Sequence, residues 1–296
     1  MTRLHQPTFK RRFSPHALTL GAMTALMALA PWQQAHADES PFAYTYLTEV
    51  LPQGGMEIEQ WLTWKHKKPQ EKFDQLQGRT EFEYGFSNRF QGAFYLNYEH
   101  TKIEPEGPGA PNDFDDTTKF TGVNAEFIYQ VWSPFTDPFG FALYFEPSIG
   151  DGERALEFKL LFQKNFLEDR LIFATNFILE YEWEHEAEEN IWEHASAFEI
   201  TVALAYRVAP GWFAGVEFLN ENEYAEHIFS GAHAEVSKFY FGPTIHYATQ
   251  NWWATLGFYK QLPWASNHTD EAGLVAHGYV YDAERTRLRF RLGIIL

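Results

Sequence analysis

Apolar and polar residues take turns through the stretch RTRLRFRLGIIL at residues 285–296, and this alternation constrains the fold more than any motif in the sequence. Successive side chains of a β-strand point to opposite faces. Leu288, Phe290, Leu292, Ile294 and Leu296 therefore share one face, and Arg287, Arg289 and Arg291 share the other. Such a strand separates something greasy from something wet or acidic.

The same period recurs along the chain. In EFEYGFSNRFQGAFYLNYEH, residues 81–100, Phe82, Tyr84 and Phe86 alternate with Glu81, Glu83 and Gly85. After a Ser87-Asn88-Arg89 turn, Phe90, Phe94, Leu96 and Tyr98 alternate with small or polar residues, which reads as a β-hairpin. Similar arms are expected at 56–65, 79–86, 90–99, 119–132, 139–149, 155–166, 171–184, 192–207, 212–221, 238–248, 252–262 and 284–296, about twelve strands in all. Short connections (SNR, SPFTDP, LEDR, VAPG, TQN) alternate with mostly longer, more acidic ones, the pattern of an antiparallel up-and-down transmembrane barrel with both termini on the short-turn side. Such a sheet must close on itself, because lipid offers no partner for a free strand edge. A soluble β-protein with the greasy faces turned inward has the same alternation in any one hairpin, and the number of hairpins decides for the barrel.

Residues 1–37 read as a secretory signal peptide: Arg3, Lys10, Arg11 and Arg12 are followed by an apolar run from Ala17 to Ala30, and Ala35-His36-Ala37 fits the small-x-small cleavage rule. Residues 38–296 are then one barrel domain, with export through the Sec pathway. Without the leader, 19 basic residues stand against 40 acidic ones, a net charge near −21. Phosphate backbones need a basic surface, so nucleic acid is excluded as a partner. The chain has no cysteine, which removes disulfides and thiolate metal sites. Aromatic residues make up 18% of the sequence, more than one core needs, and suit an outer wall with belts at both membrane interfaces. Trp252 and Trp253 both fit the periplasmic belt.

Taken together, the leader, the alternating hairpins and the final amphipathic strand resemble Gram-negative outer-membrane β-barrel proteins. FEYGFSNRFQGAFYLNYE (82–99) and FGPTIHYATQNWWATLGFY (241–259) are similar to a largely uncharacterised group of about twelve strands. The resemblance implies fold and location but no activity. As partners it implies outer-membrane lipid, lipopolysaccharide and the barrel assembly machinery. Barrels of this class usually end in Phe or Trp, and Leu296 departs from that.

Inside such a barrel the alternation places Glu57, Glu59, Glu81, Glu83, Glu180, Glu182, Arg207, Glu217, Arg287, Arg289 and Arg291 toward the lumen, with Arg287, Arg289 and Arg291 expected to meet carboxylates across the β-seam. Buried charges must be paired or hydrated. Two readings follow: a narrow channel for small solutes with a preference for cations, or a non-conducting structural or surface-interaction barrel filled by ion pairs. Glu184, His185, Glu186 and His194 crowd one strand tip and are candidates for a divalent ion, although no HExxH spacing is present. Catalysis is not expected. Ser230 lies near His227 and His233, but there is no GxSxG elbow and no lipid-facing serine set beside a histidine. No cofactor is called for.

Overall fold

The computed structural model describes residues 40–296 except 70, 106–113, 151, 187–189, 229–233 and 270–272. The expected signal cleavage at Ala35 and Ala37, and Ser230 and His233, lie outside the described residues. Fifteen strands run in chain order: β1 (Met56–His66), β2 (Glu71–Ser87), β3 (Phe90–Pro105), β4 (Asp115–Trp132), β5 (Gly140–Gly150), β6 (Glu153–Phe166), β7 (Leu171–Glu186), β8 (Ile191–Ala209), β9 (Trp212–Tyr224), β10 (Val236–Ala248), β11 (Trp252–Gln261), the two-residue pieces β12 (Ser266–Asn267), β13 (Val275–Ala276) and β14 (Tyr279–Val280), and β15 (Thr286–Ile295). Each long strand pairs antiparallel with its sequence neighbours, and β15 pairs with both β11 and β1. The result is a closed barrel of twelve strands. Among the described residues no helix is long and apolar enough to cross a membrane; the strands do so.

Alternation sets the faces. On β3, Phe94 is 46% exposed and its neighbour Tyr95 is fully buried. On β1, Glu57, Glu59, Trp61 and Thr63 are buried while Met56 and Trp64 are exposed. Outward rings run from strand to strand: Phe86, Phe90, Phe127, Phe145 and Phe158 follow one another across β2 to β6 with centroids 5.0–6.5 Å apart. Such a band hides apolar area in lipid instead of in a core.

β2, β3 and β4, of 17, 16 and 18 residues, are longer than the sequence pattern indicates, almost entirely at the long-loop end. About 9–11 residues suffice to cross the hydrocarbon. The extra length, such as Lys72–Gly78 beside Tyr98–Glu104, mixes polar and apolar residues on both faces, so no alternation betrays it, and it continues the β2–β3 ladder. β1 runs to His66 and β2 starts at Glu71, so strand fills most of the gap expected between the first two arms.

Trp252 and Trp253 part company. Trp252 is exposed and lies 5.5 Å from the Tyr247 ring, as expected of the belt. Trp253 is fully buried, and its indole N–H donates to Glu57. Adjacent residues of one strand cannot both face lipid.

Candidate functional site

Residues 40–55 have no strand partner, and they lie inside the barrel. A buried backbone without a ladder must find its hydrogen bonds elsewhere, and the inner wall supplies them. The Ser40 carbonyl accepts from Thr255 Oγ1 of β11 at 2.9 Å, and the Phe42 carbonyl accepts from Arg291 of β15 at 3.2 Å. Glu217 of β9 then collects three consecutive backbone N–H groups, from Ala43 (2.8 Å), Tyr44 (3.1 Å) and Thr45 (2.7 Å), and also the Tyr259 hydroxyl. Next, Asn176 of β7 accepts from the Tyr46 N–H at 2.7 Å and donates to its carbonyl at 3.0 Å. Gln163 of β6 accepts from the Thr48 N–H at 2.9 Å, Gln130 of β4 donates to the Thr48 carbonyl at 2.8 Å, and Gln91 of β3 accepts from the Leu51 N–H at 2.7 Å. Two backbone bonds with Gly85 of β2 bring the chain to β1. The segment thus passes round the inner wall from β11 to β2.

Small side chains make room for it. Phe42 and Leu47 pack against Ala174, Ala203 and Ala205, and Val50 packs with Ile128, Ala142, Tyr144 and Leu161. A Cβ at Gly85 would stand 2.2 Å from the Pro52 carbonyl, and one at Gly140 2.2 Å from Thr48 Oγ1. Burying each of Phe42, Leu47 and Val50 is worth roughly 1.5–3 kcal/mol. Apolar packing and charge-assisted hydrogen bonds therefore hold the segment together.

On the long-loop side of the segment lies a cavity of about 1120 Å³. Tyr44, Tyr46 and Trp61 are among its lining residues, and so are Glu180, Glu182, Arg287 and Arg289. Twelve acidic and nine basic side chains line it in all. Arg287 is bound by Glu221 (2.9 Å) and by Glu284, and stacks 3.8 Å over the Tyr240 ring. Lys159 pairs with Glu157 at 2.8 Å.

The eleven charged residues picked out from the alternation thus fall into three groups. Glu180, Glu182, Arg287 and Arg289 line the cavity. Glu57, Glu59, Glu81, Glu83, Glu217 and Arg291 are buried deeper, where the segment runs. Arg207 sits at the short-turn end, donating to the Asp169 carbonyl at 2.6 Å. Of the three arginines expected to meet carboxylates across the β15–β1 seam, only Arg291 does, reaching Glu59 at 3.0 Å. Arg289 donates to Thr63 and to the Ala43 carbonyl, while Arg287 turns away from β1 toward β9.

The acidic tip around Glu184 divides by strand alternation. In the β7–β8 register Trp183 faces His194 and His185 faces Trp192, with ring contacts at 6.4 and 5.0 Å, while Glu184 pairs with Glu193 on the other face. His185 bonds Asn190 at 3.1 Å. The Glu186 side chain lies outside the described residues. Among the described residues, carboxylates at metal-ligand spacing occur instead at Glu59, Glu81 and Glu83, with oxygens within 4.8 Å of one another, and there Arg291 already engages Glu59.

The N-terminal segment escaped the sequence reading. Its trace is a set of uncharged amides at inward positions, Gln91, Gln130, Gln163 and Asn176, each able to donate and accept at once. Inward alanines accompany them at the same level.

A model of a family of unknown function, DUF6662, matches residues 34–295. The chain belongs to that family. No curated protein matches it in sequence. Among solved structures the DUF6662 chain is similar to the COG4313 outer membrane channel from Pseudomonas putida F1, with a TM-score of 0.58 and 10% identity over 84% of this chain and 98% of that one. The KdgM porin also matches, with a TM-score of 0.49 and 11% identity over 80% of this chain and 98% of the porin. At that identity the likeness to the channel is one of fold: this is an outer-membrane-type β-barrel.

Proposed function

We propose that this barrel is a narrow passive channel for small solutes, with a bore set by the segment 40–55. The observation that carries this reading is the pairing of an open, charge-lined cavity of about 1120 Å³ with a chain segment, and not a wall strand, at its floor. The similarity in fold to an outer membrane channel supports it. The acidic excess in the lining favours cations over anions at the mouth. Residues 1–37 serve as a Sec signal cut after Ala37, and the assembly machinery inserts the barrel among lipid and lipopolysaccharide; N-terminal sequencing of the protein from outer membranes is expected to begin at Asp38. The reading assigns the chain no catalytic step.

Planar-bilayer recording tests the channel. The intact protein is expected to give small conductance steps, and deletion of residues 40–51 is expected to raise them several-fold. A second reading, a closed structural barrel, is favoured by the depth of packing around the segment, where Glu57, Glu59 and Glu81 are at most 2% exposed. Silence from the intact protein, with steps only after the deletion, would support that second reading.

A further inference from the structure

The charges of the cavity are sorted by wall. Most are neutralised locally, as with Lys159 and Glu157 or Arg287 and Glu221. Among the described residues that line the cavity, those without an ion-pair partner fall into two main sets, with Asp115 of β4, hydrogen-bonded to Thr117, apart from them. Lys65 of β1 and Arg289 of β15 are cations; Arg289 bonds only neutral oxygens and lies 3.6 Å over the Tyr44 ring. Glu153 of β6, Glu180, Glu182 and Glu184 of β7, and Glu199 of β8 are carboxylates. Arg154 of β6 borders the cavity at its rim but alternates to the outward face and stacks on Trp192 at 4.6 Å, and Arg207 of β8 lies at the short-turn end, away from the cavity.

In a ring of twelve strands β1 and β7 are six apart and so stand opposite each other. Twelve strands spaced 4.8 Å and tilted about 40° enclose a backbone cylinder about 24 Å across, which long side chains from both walls narrow to roughly 10 Å. A solute in the cavity therefore feels a field directed across the pore, and a low-dielectric wall concentrates it.

Resting on the channel reading, we infer that the preferred solutes carry a cationic and an anionic group on one extended body, as short peptides do. Such a solute lies across the bore with its ammonium toward Glu180 and Glu182 and its carboxylate toward Arg289 and Lys65. Three extended residues span about 10 Å, which matches the gap. A pure cation meets one wall only, and a pure anion meets a lining with an acidic excess.

Liposome-swelling rates of the reconstituted full-length protein test this with solutes of nearly one size: triglycine, its amide and its N-acetyl derivative, each normalised to arabinose. Triglycine is expected to enter at least about threefold faster than the cationic amide, and the N-acetyl anion slowest. The double variant Lys65→Gln/Arg289→Gln is expected to hand the lead to the amide. Glu180→Gln/Glu182→Gln is expected to abolish the lag of the N-acetyl anion. An order set by net charge alone, amide before triglycine before anion, overturns the inference and leaves the channel standing. If arabinose itself does not enter, both fall. The wild-type order decides alone should a variant fail to fold.

Discussion

At the scale of single residues the hinge of the structure is Glu217. A fully buried carboxylate with no cation on it is normally costly, yet here three backbone N–H groups and a phenol supply what water would have given. Hydrogen bonds to a charged acceptor are worth roughly 1.5–3 kcal/mol each. Glu217→Gln keeps one acceptor and turns an NH₂ toward backbone donors, so it is expected to loosen the segment by about 3 kcal/mol. Limited proteolysis of the purified barrel would then cut near residues 43–46, where the wild type resists. Trp253 is a second such residue. Trp253→Ala removes a buried ring and takes its indole N–H away from Glu57, at about 3–5 kcal/mol, whereas Trp252→Ala forfeits about 1 kcal/mol of ring contact with Tyr247. Urea unfolding in vesicles followed by gel shift should separate the pair clearly; equal losses would contradict the opposed faces.

At the scale of elements, the segment 40–55 and the strands it touches are matched by size. Gly85 and Gly140 let the chain pass close to β2 and β5. Gly85→Val places carbon 2.2 Å from a backbone carbonyl that cannot swing aside, and is expected to expel residues 50–54 from the lumen. Larger conductance steps from a barrel that still runs as a folded band would report it. The strands themselves were legible in advance because one face of each is greasy: the hairpin 81–100 declares itself by Phe82, Tyr84, Phe94 and Leu96. Their extensions at the long-loop end were not, since polar residues such as Asp74 and Gln75 or Thr101 and Lys102 occupy both faces there. The segment was illegible for a related reason. Its partners are single side chains on seven strands, far apart in sequence, and no local period records such a set.

At the scale of the whole molecule, stability comes from closure and from the lipid wall together. β15 holds β11 and β1 at once, so the ring of twelve long strands closes on itself. Phe94→Arg, on the outer face of β3 within its greasy stretch, is expected to cost about 2–4 kcal/mol in a bilayer. The same change at Tyr95 has a different outcome: it loses the hydroxyl contact to Glu126 but puts a cation beside a carboxylate. Comparing the two variants for recovery in outer membranes and for faster migration of unheated samples checks which way the barrel faces.

Sequence alone determined the strand number, the faces of the strongly alternating strands and the short-turn and long-loop ends, because all of these follow from a period of two and from hydrocarbon refusing polar groups. Only the tertiary structure decided what fills the lumen and which charges remain unpaired. Those depend on which inward side chains a closed ring brings opposite one another, and on a segment with no period of its own finding backbone partners across that ring.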